Sequence, residues 1–227
     1  MSKNGFTESE IVACLADLDQ ATQGGYQGDI QTSHIGTTKV LIKSAAGGPL
    51  VLWLNRLLLR HEYQVYLRLA GVDGIPECYG FFKGRYLMLQ YIEGQTLRHA
   101  EIVDHDAFFA EMRALLERIH ARSVAHGDLK RKDNIIVGND SHPYLVDFGV
   151  STFRKPGFRP VNRFWHSFCR QHDLNAWIKH KYKRRFQDMS AEDAALYRPL
   201  LIERLARRIK RLFVRRKDSN DPQGTEG

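Results

Sequence analysis

The feature that most constrains the fold is a stretch in which two polar motifs flank a pair of short apolar segments. The first motif is HGDLKRKDN at residues 126–134, and the second is DFG at residues 147–149. Between them, residues 135–137 and 144–146 read IIV and YLV, which predicts two short strands on either side of a turn. Either motif alone occurs often by chance. The two motifs together, joined by a predicted hairpin, are much less frequent by chance and therefore indicate a functional site.

The side chains of these motifs suit the transfer of a phosphoryl group from ATP. We expect Asp128 to accept the proton of an incoming hydroxyl, since a carboxylate at that point can orient and deprotonate it. We expect Asp147 and an amide oxygen from Asn134 to hold Mg²⁺ on the phosphates, because oxygen ligands suit this hard cation. ATP and Mg²⁺ are therefore the expected cofactors.

Two upstream residues complete this expected site. Lys43 ends an apolar segment at 39–43 that predicts a strand, and Glu62 lies within a predicted helix at 50–70. The lysine would neutralise phosphate oxygens, and the glutamate would hold the lysine in place by an ion pair. Each residue alone would more often be an ordinary surface charge.

The remaining pattern indicates an α+β protein. Helices are predicted at 6–20 and 104–122 and a buried strand at 85–92, with a loop after Phe153. Further helices are predicted at 173–186 and 191–216. A sheet-rich first part followed by a helical second part, without regular strand–helix alternation, favours two lobes.

On the motifs HGDLKxxxN, DFG, VLIK and MLQYIEG, the chain resembles a minimal bilobal protein-kinase-like fold. Within that superfamily it resembles the bacterial lipopolysaccharide kinases (the Kdo/WaaP group) and the small RIO-like kinases, over about residues 24–183. The resemblance implies a β-rich N-lobe at 1–92 and a truncated, helical catalytic C-lobe at 93–190. A basic amphipathic helix at 191–217 and a disordered tail at 218–227 would follow.

The resemblance also assigns roles to single residues. Asp128 resembles the catalytic base, Asp147 the main magnesium ligand, and Lys130 the residue that stabilises charge on the transferred phosphoryl group. Gln90 and Ile92 lie where the hinge backbone would meet adenine.

Two further positions match the family's pattern. Leu89 stands at the gatekeeper position, where a buried strand would carry an apolar residue in any case. Asp173 resembles the buried acid that braces the catalytic loop, although an N-terminal helix cap would explain it equally well.

The chain departs from the family's pattern in its metal-binding and glycine-rich segments. Asn134 is the sixth residue after Asp128 rather than the fifth, where Asp133 stands. One inserted residue explains this, so we expect Asn134 to be the second metal ligand, with Asp133 as a chemically competent substitute. The glycines at 24, 25 and 28 do not spell GxGxxG. Backbone amides beside Gly25 and Gly28 are nevertheless expected to cover phosphates.

The expected acceptor follows from what the C-lobe lacks. Gly127 replaces the arginine of the HRD form and no APE motif occurs, so regulation by activation-loop phosphorylation and ordinary peptide docking are not expected. We expect a hydroxyl on a lipopolysaccharide core sugar. A RIO-like Ser/Thr protein kinase is the alternative, and a nucleotide-binding pseudokinase scaffold is a remote one. Basic residues after DFG fit an acidic acceptor or a merely solvated loop: Arg154, Lys155, Arg159 and Arg163.

The positive charge is concentrated near the C-terminus. The chain of 227 residues has a formal charge of +8, and residues 204–217 contain eight Lys and Arg with no acid, which equals that whole charge. This segment predicts a helix with one apolar face. That face either packs on the domain or lies on an anionic membrane surface. Nucleic acid is not an expected partner, because no known reader motif appears.

The rest of the composition bears on location. No apolar run approaches the roughly 18 residues of a membrane span, and the start of the chain, MSKNGFTESE, is polar. The three cysteines form no CxxC motif, which favours a reducing compartment. We therefore expect a cytoplasmic protein, peripheral on the inner face of the cytoplasmic membrane.

Overall fold

The computed structural model describes residues 6–22 and 30–198 and confirms the α+β class. The described helices are α1 (Glu8–Thr22), α2 (Pro49–Arg68), α3 (His105–Ala121), α4 (Pro160–Lys181) and α5 (Ala191–Leu196). The described strands are β1 (Ile30–Ile35), β2 (Thr38–Ser44), β3 (Cys78–Phe82), β4 (Tyr86–Gln90), β5 (Gly94–Thr96), β6 (Val124–Ala125), β7 (Ile135–Gly138), β8 (Pro143–Leu145) and β9 (Thr152–Phe153).

The first part of the fold is an antiparallel sheet of four strands in the order β1-β2-β4-β3. Side chains alternate between the two faces of a strand. Val40 and Ile42 therefore pack with α1 on the outer face, in a cluster that also contains Leu15. Leu41 and Lys43 point to the other face, where α2 lies. The alternation of β2 thus directs one lysine to the inside of the molecule.

Helix α2 covers this inner face. Pro49 stands in its first turn, where the missing N–H of proline costs nothing. Its buried side is formed by Glu62, Val65 and Tyr66. Because a buried carboxylate is costly without a partner, Glu62 needs a cation from the facing strand.

The second part is built on α3 and α4. Apolar residues of α3, including Met112 and Leu116, share one core with Trp177 of α4. The indole of Trp177 donates to the carbonyl of Phe109 at 2.8 Å, so this large side chain is both packed and hydrogen-bonded. Two small sheets sit beside these helices, β5-β7-β8 and β6-β9. The β7-β8 hairpin is the one that the apolar segments at 135–137 and 144–146 predict.

Two helix predictions need correction. The segment after Phe153 is a loop only as far as Arg159, and α4 begins at Pro160 rather than near residue 173. Its first turns carry exposed apolar side chains such as Phe164 and Trp165, which obscure the helical period in the sequence. A proline in the first helical turn was the available signal.

The predicted helix at 191–216 also differs, since α5 ends at Leu196 and Tyr197 is extended. Side-chain amides of α4 bind this segment. Gln171 Nε2 donates to the carbonyl of Leu196 at 2.9 Å, and Asn175 Nδ2 donates to that of Arg198 at 2.6 Å. Arg198 also precedes a proline in the sequence, a position that disfavours helix.

Several predicted features lie outside the described residues: the glycines at 24, 25 and 28, the basic segment at 204–217 and the tail at 218–227. Within the described part of the chain, no helix has the length and apolar character needed to cross a membrane.

Candidate active site

Three predicted residues from distant parts of the chain meet at one point. Lys43 Nζ lies 2.7 Å from Glu62 Oε1 and 2.9 Å from Asp147 Oδ1. The backbone N–H of Phe148 donates to the same Glu62 oxygen at 3.2 Å. Strand β2, helix α2 and the DFG segment are therefore joined through a single ammonium group.

The charges of this group depend on one another. Burial alone would lower the pKa of Lys43, but the adjacent carboxylates of Glu62 and Asp147 outweigh it and raise that pKa. The ammonium therefore stays charged at neutral pH. Burial raises the pKa of Glu62, against the effect of Lys43. The pKa of Asp147 is lowered, since Lys43 more than offsets the effect of burial.

A second pair of predicted residues is formed by Asn134 and Asp128, which are in contact. Its Nδ2 donates to the Asp128 carbonyl at 3.0 Å and lies 3.4 Å from Oδ2. Because the nitrogen of this amide faces Asp128, its oxygen is the atom that a cation would meet. Asp133 is engaged elsewhere. Its two oxygens accept from Arg98 Nε at 2.8 Å and Nη2 at 2.7 Å.

Asp173 braces the loop that carries Asp128. Its carboxylate is fully buried and accepts from the backbone N–H groups of His126 and Gly127, each at 2.8 Å. His120 Nε2 lies 3.1 Å from the same carboxylate. Asp173 stands well inside α4, so the alternative of an N-terminal helix cap is wrong.

The loop also depends on the glycine at position 127. Gly127 has a φ of +81°, a region that side chains with a Cβ avoid. A Cβ there would lie 3.3 Å from the Val150 carbonyl. This backbone conformation explains why glycine occupies the position.

The DFG segment is held by its aromatic residue. Phe148 is buried, with its ring 4.7 Å from that of His126 and 5.3 Å from that of Tyr66. His126 Nε2 lies 2.9 Å from the Val146 carbonyl, and its Nδ1 accepts from Asp128 N–H at 3.4 Å. These two contacts fit a neutral imidazole that donates from Nε2. They tie the catalytic loop to DFG.

A cavity of about 410 Å³ lies between the sheet and these loops. Its lining includes the polar residues Lys43, Asn134 and Asp147 and the segment 89–92, with Leu41 and Val146 among its apolar residues. Apolar lining with a few convergent polar groups is typical of a small-molecule site, and the volume falls within the usual range. The backbone N–H of Gln90 donates to the Glu77 carbonyl at 2.8 Å, so this group is already paired.

The oxygen donors at this cavity fit a magnesium ion that is shared with a nucleotide. Mg²⁺ is usually held by one or two carboxylates together with substrate phosphates, rather than by a complete protein cage. Asp147, whose side chain is 45% exposed, and the amide oxygen of Asn134 are such donors. Within residues 6–22 and 30–198, no group of three or more His, Cys, Asp and Glu side chains is arranged to hold a metal by itself.

Three predicted residues do not line this cavity. Glu62 lies behind Lys43, Asp128 contacts Asn134 of the lining, and Lys130 lines a second cavity. The post-DFG basic residues at positions 154, 155, 159 and 163 are exposed. The predicted phosphate-covering residues Gly25 and Gly28 remain outside the described chain.

Sequence reasoning missed several residues that position this site. The contact between Arg98 and Asp133 joins residues 35 apart in sequence, and no local signal predicts it. His120 occupies a buried position on the apolar face of α3, which was a usable signal. His180 Nε2 donates to the Leu129 carbonyl at 2.7 Å and so ties α4 to the loop that carries Asp128. The sequence neighbours of His180 suggest only a solvated basic segment.

The sequence has partial matches to proteins named as serine/threonine kinases. No family model matches the chain. It is 32% identical over 101 residues to a probable serine/threonine-protein kinase, fnkB, of Dictyostelium discoideum, covering 40% of this chain and 19% of that protein. It is 34% identical over 112 residues to sperm motility kinase 2B of Mus musculus, covering 46% and 23%.

A bacterial relative shows the same trend. Serine/threonine-protein kinase D of Synechocystis is 28% identical over 82 residues, covering 34% of this chain and 16% of that protein. The chain thus spans less than a quarter of each of these three relatives. These distant matches support a protein-kinase-like fold. Nothing in them supports the lipopolysaccharide-kinase or RIO-like groups specifically.

Proposed function

We propose that this protein is an ATP- and Mg²⁺-dependent kinase that phosphorylates a Ser or Thr hydroxyl of a protein. The observation that carries the proposal is the double contact of Lys43 with Glu62 and Asp147 at a cavity that is also lined by Asn134, which contacts Asp128. The names of the distant relatives favour a protein hydroxyl over the sugar hydroxyl that the sequence pattern favours.

Each residue has a role that its surroundings support. Lys43 stays protonated and would meet phosphate oxygens, while Glu62 holds it in position. Asp128, held by the braced loop, would orient the acceptor hydroxyl and take its proton. ATP, when bound with Mg²⁺, supplies the γ-phosphoryl group and an electrophile whose charge is partly neutralised. Most of the rate enhancement would come from positioning and electrostatics.

Asn134 is the better candidate for the second metal ligand. Its amide oxygen is directed away from the bond that its nitrogen makes with Asp128. The carboxylate of Asp133 is occupied by both arms of Arg98, and a charge-assisted pair of this kind competes with metal binding. Lys130, two residues after Asp128, would meet the transferred group from the acceptor side.

A lipopolysaccharide sugar is the second candidate acceptor. The exposed basic loop after DFG favours it, since Arg154, Arg159 and Arg163 would face an anionic glycan. A membrane-bound acceptor would also explain the basic segment at 204–217. Deleting residues 204–227 should then weaken sedimentation with anionic vesicles, and unchanged binding would remove the membrane role. A pseudokinase scaffold is disfavoured because the four polar residues that the family's pattern needs for transfer are all present: Lys43, Glu62, Asp128 and Asp147.

The proposal is tested by transfer of labelled γ-phosphate in the presence of Mg²⁺, with delipidated protein extract and purified lipopolysaccharide as separate acceptors. Asp128→Asn is the blank, because it keeps the shape of the side chain and removes the base. We expect label in protein that disappears in this variant. Label in lipopolysaccharide alone would replace the acceptor, and ATP binding without any label would favour the scaffold.

A further inference from the structure

A second cavity, of about 740 Å³, lies beside the catalytic loop. Its described lining contains six basic side chains and no acidic one. They are Arg98, Lys130, Lys132, Lys179, Lys183 and Arg184. We call the cavity that these six residues line the cationic cavity. Because Lys130 is two residues from Asp128, the cavity adjoins the point where an acceptor hydroxyl would be placed.

The basic residues come from separate parts of the fold. Arg98 follows β5, Lys130 and Lys132 belong to the catalytic loop, and the others lie at the end of α4 or just beyond it. Gathering like charges at one place is unfavourable for the protein alone. Asp133 compensates Arg98 through its two hydrogen bonds, but it does not line the cavity.

Ordinary helix capping does not account for this arrangement. Cations in the last turn of a helix interact favourably with its dipole, which would explain Lys179. Lys183 and Arg184 lie beyond α4, with φ values of +48° and +68°. Positions of this kind after a helix usually carry glycine, since a Cβ is disfavoured there. Two long cations therefore occupy sites at which glycine would suit the backbone better.

The centre of the cavity wall is fixed by His180. This side chain is bonded to the Leu129 carbonyl at 2.7 Å, so the end of α4 cannot shift relative to the catalytic loop without breaking that contact. The pKa of His180 is lowered by burial and, further, by the positive charges of Lys132, Arg184 and Lys179. The imidazole is thus neutral at neutral pH. The part of the pKa lowering that comes from these three cations shows that the electrostatic potential around His180 is positive.

We propose that the cationic cavity binds acidic or phosphorylated residues next to the Ser or Thr that this protein phosphorylates. This inference rests on the proposed function: it takes the transfer to a Ser or Thr hydroxyl as given and adds the charge of the residues that flank that Ser or Thr. Carboxylates and phosphates are the groups that lysine and arginine clusters recognise. A peptide acceptor is chosen over a glycan because the matched relatives are named as serine/threonine protein kinases.

The test uses three sets of peptides that share one central Ser and differ in their flanks: Asp and phosphoserine, neutral, or Lys and Arg. Each flanking position is varied separately. The wild-type protein is compared with the double variant Lys183→Gly/Arg184→Gly, whose new residues suit the positive φ. The thermal midpoint should therefore stay the same or rise, which separates loss of binding from loss of folding.

A matched control exists in the sheet. Lys83 is exposed, has a φ of +49° and lies in the turn between β3 and β4. Lys83→Gly thus removes one charge and relieves the same kind of backbone conformation far from the cationic cavity. It should leave peptide preference unchanged.

We expect the wild type to prefer acid-flanked peptides and the double variant to lose that preference by up to about 30-fold, since each exposed ion pair contributes at most a factor of about five. The preference should also weaken as salt is raised. Equal phosphorylation of all three peptide sets by the wild type would overturn this inference and leave the proposed kinase function intact. Because four cations remain in the double variant, a weakened preference is expected, and a preference as strong as that of the wild type would also overturn the inference.

Binding without turnover keeps the inference separable from the proposed function. A phosphoserine peptide with Ala in place of the central Ser should bind the wild type more tightly than the double variant, as measured by calorimetry. Binding of this peptide with no Asp128-dependent transfer to any acceptor would support the cavity and refute the kinase. Transfer only to a phosphorylated glycan, with no peptide binding, would overturn the peptide assignment.

Discussion

Replacing Asp173 by Asn tests whether its carboxylate holds the catalytic loop. The substitution keeps the size of a side chain that is fully buried. The carboxylate accepts from two backbone N–H groups, those of His126 and Gly127. An amide has only one oxygen, so one of these N–H groups would face an NH₂ group instead of an acceptor.

The expected loss of stability follows from that count. One buried donor without a partner costs about 1–3 kcal/mol. For a chain of this size each kcal/mol lowers the melting temperature by about 2–4 °C, so Asp173→Asn should melt about 2–12 °C lower. The N–H group that loses its acceptor belongs to the segment just before Asp128. A shift of about 1 Å there should reduce phosphoryl transfer by about 100-fold.

Differential scanning calorimetry and steady-state transfer assays measure both effects. ATP affinity should change much less than turnover, because Asp173 does not line the cavity that contains Lys43. Asp106→Asn is the control: its side chain is 93% exposed and makes a 3.4 Å contact with His105, so its replacement should lower the melting temperature less than Asp173→Asn and leave turnover unchanged. An Asp173→Asn protein with wild-type melting and turnover would show that the carboxylate does not hold the loop.

Three further predictions concern single contacts. Lys43→Met should reduce transfer by at least about 100-fold and leave Glu62 protonated, because burial then raises its pKa without an opposing cation; infrared difference spectra showing an ionised Glu62 would contradict this. Asn134→Ala should raise the Mg²⁺ concentration needed for half-maximal activity, whereas Asp133→Asn should not; the reverse order in a magnesium titration would assign the metal to Asp133. Burial alone would raise the pKa of Asp193, but its carboxylate accepts hydrogen bonds from Lys181 and Tyr182 at 2.6 Å each. These bonds outweigh burial and lower the pKa below the ordinary 3.8. A lowered native pKa stabilises the fold above the unfolded value and ceases to do so as the pH falls through the native one. The difference in unfolding free energy between wild type and Asp193→Asn should therefore be full at pH 6 and shrink below about pH 3.8; a constant difference in urea titrations across this range would refute the reasoning.

Much of the fold could be predicted because its elements are strongly patterned. Helix α3 and strands β2, β4, β7 and β8 have a clear helical or alternating period, and each was found within a few residues of its predicted bounds. Strand β1, with the sequence IQTSHI, is polar and mostly exposed, so no apolar pattern marks it. The first turns of α4 were missed because apolar residues there face solvent.

For the candidate site, the sequence by itself determined which residue types are available and at what spacing. Lys43, Asp128, Asn134 and Asp147, to which we assign phosphoryl transfer, follow one another at a spacing that can be recognised in the sequence. The tertiary structure decided which of these groups touch. It distinguished the two candidate metal ligands, because Arg98, 35 residues away in sequence, binds Asp133 and not Asn134. It also placed Asp173 in mid-helix against the catalytic loop and gathered six cations from separate segments into one cavity. Contacts of this kind depend on the packing of whole helices and loops, and the local sequence holds no record of them.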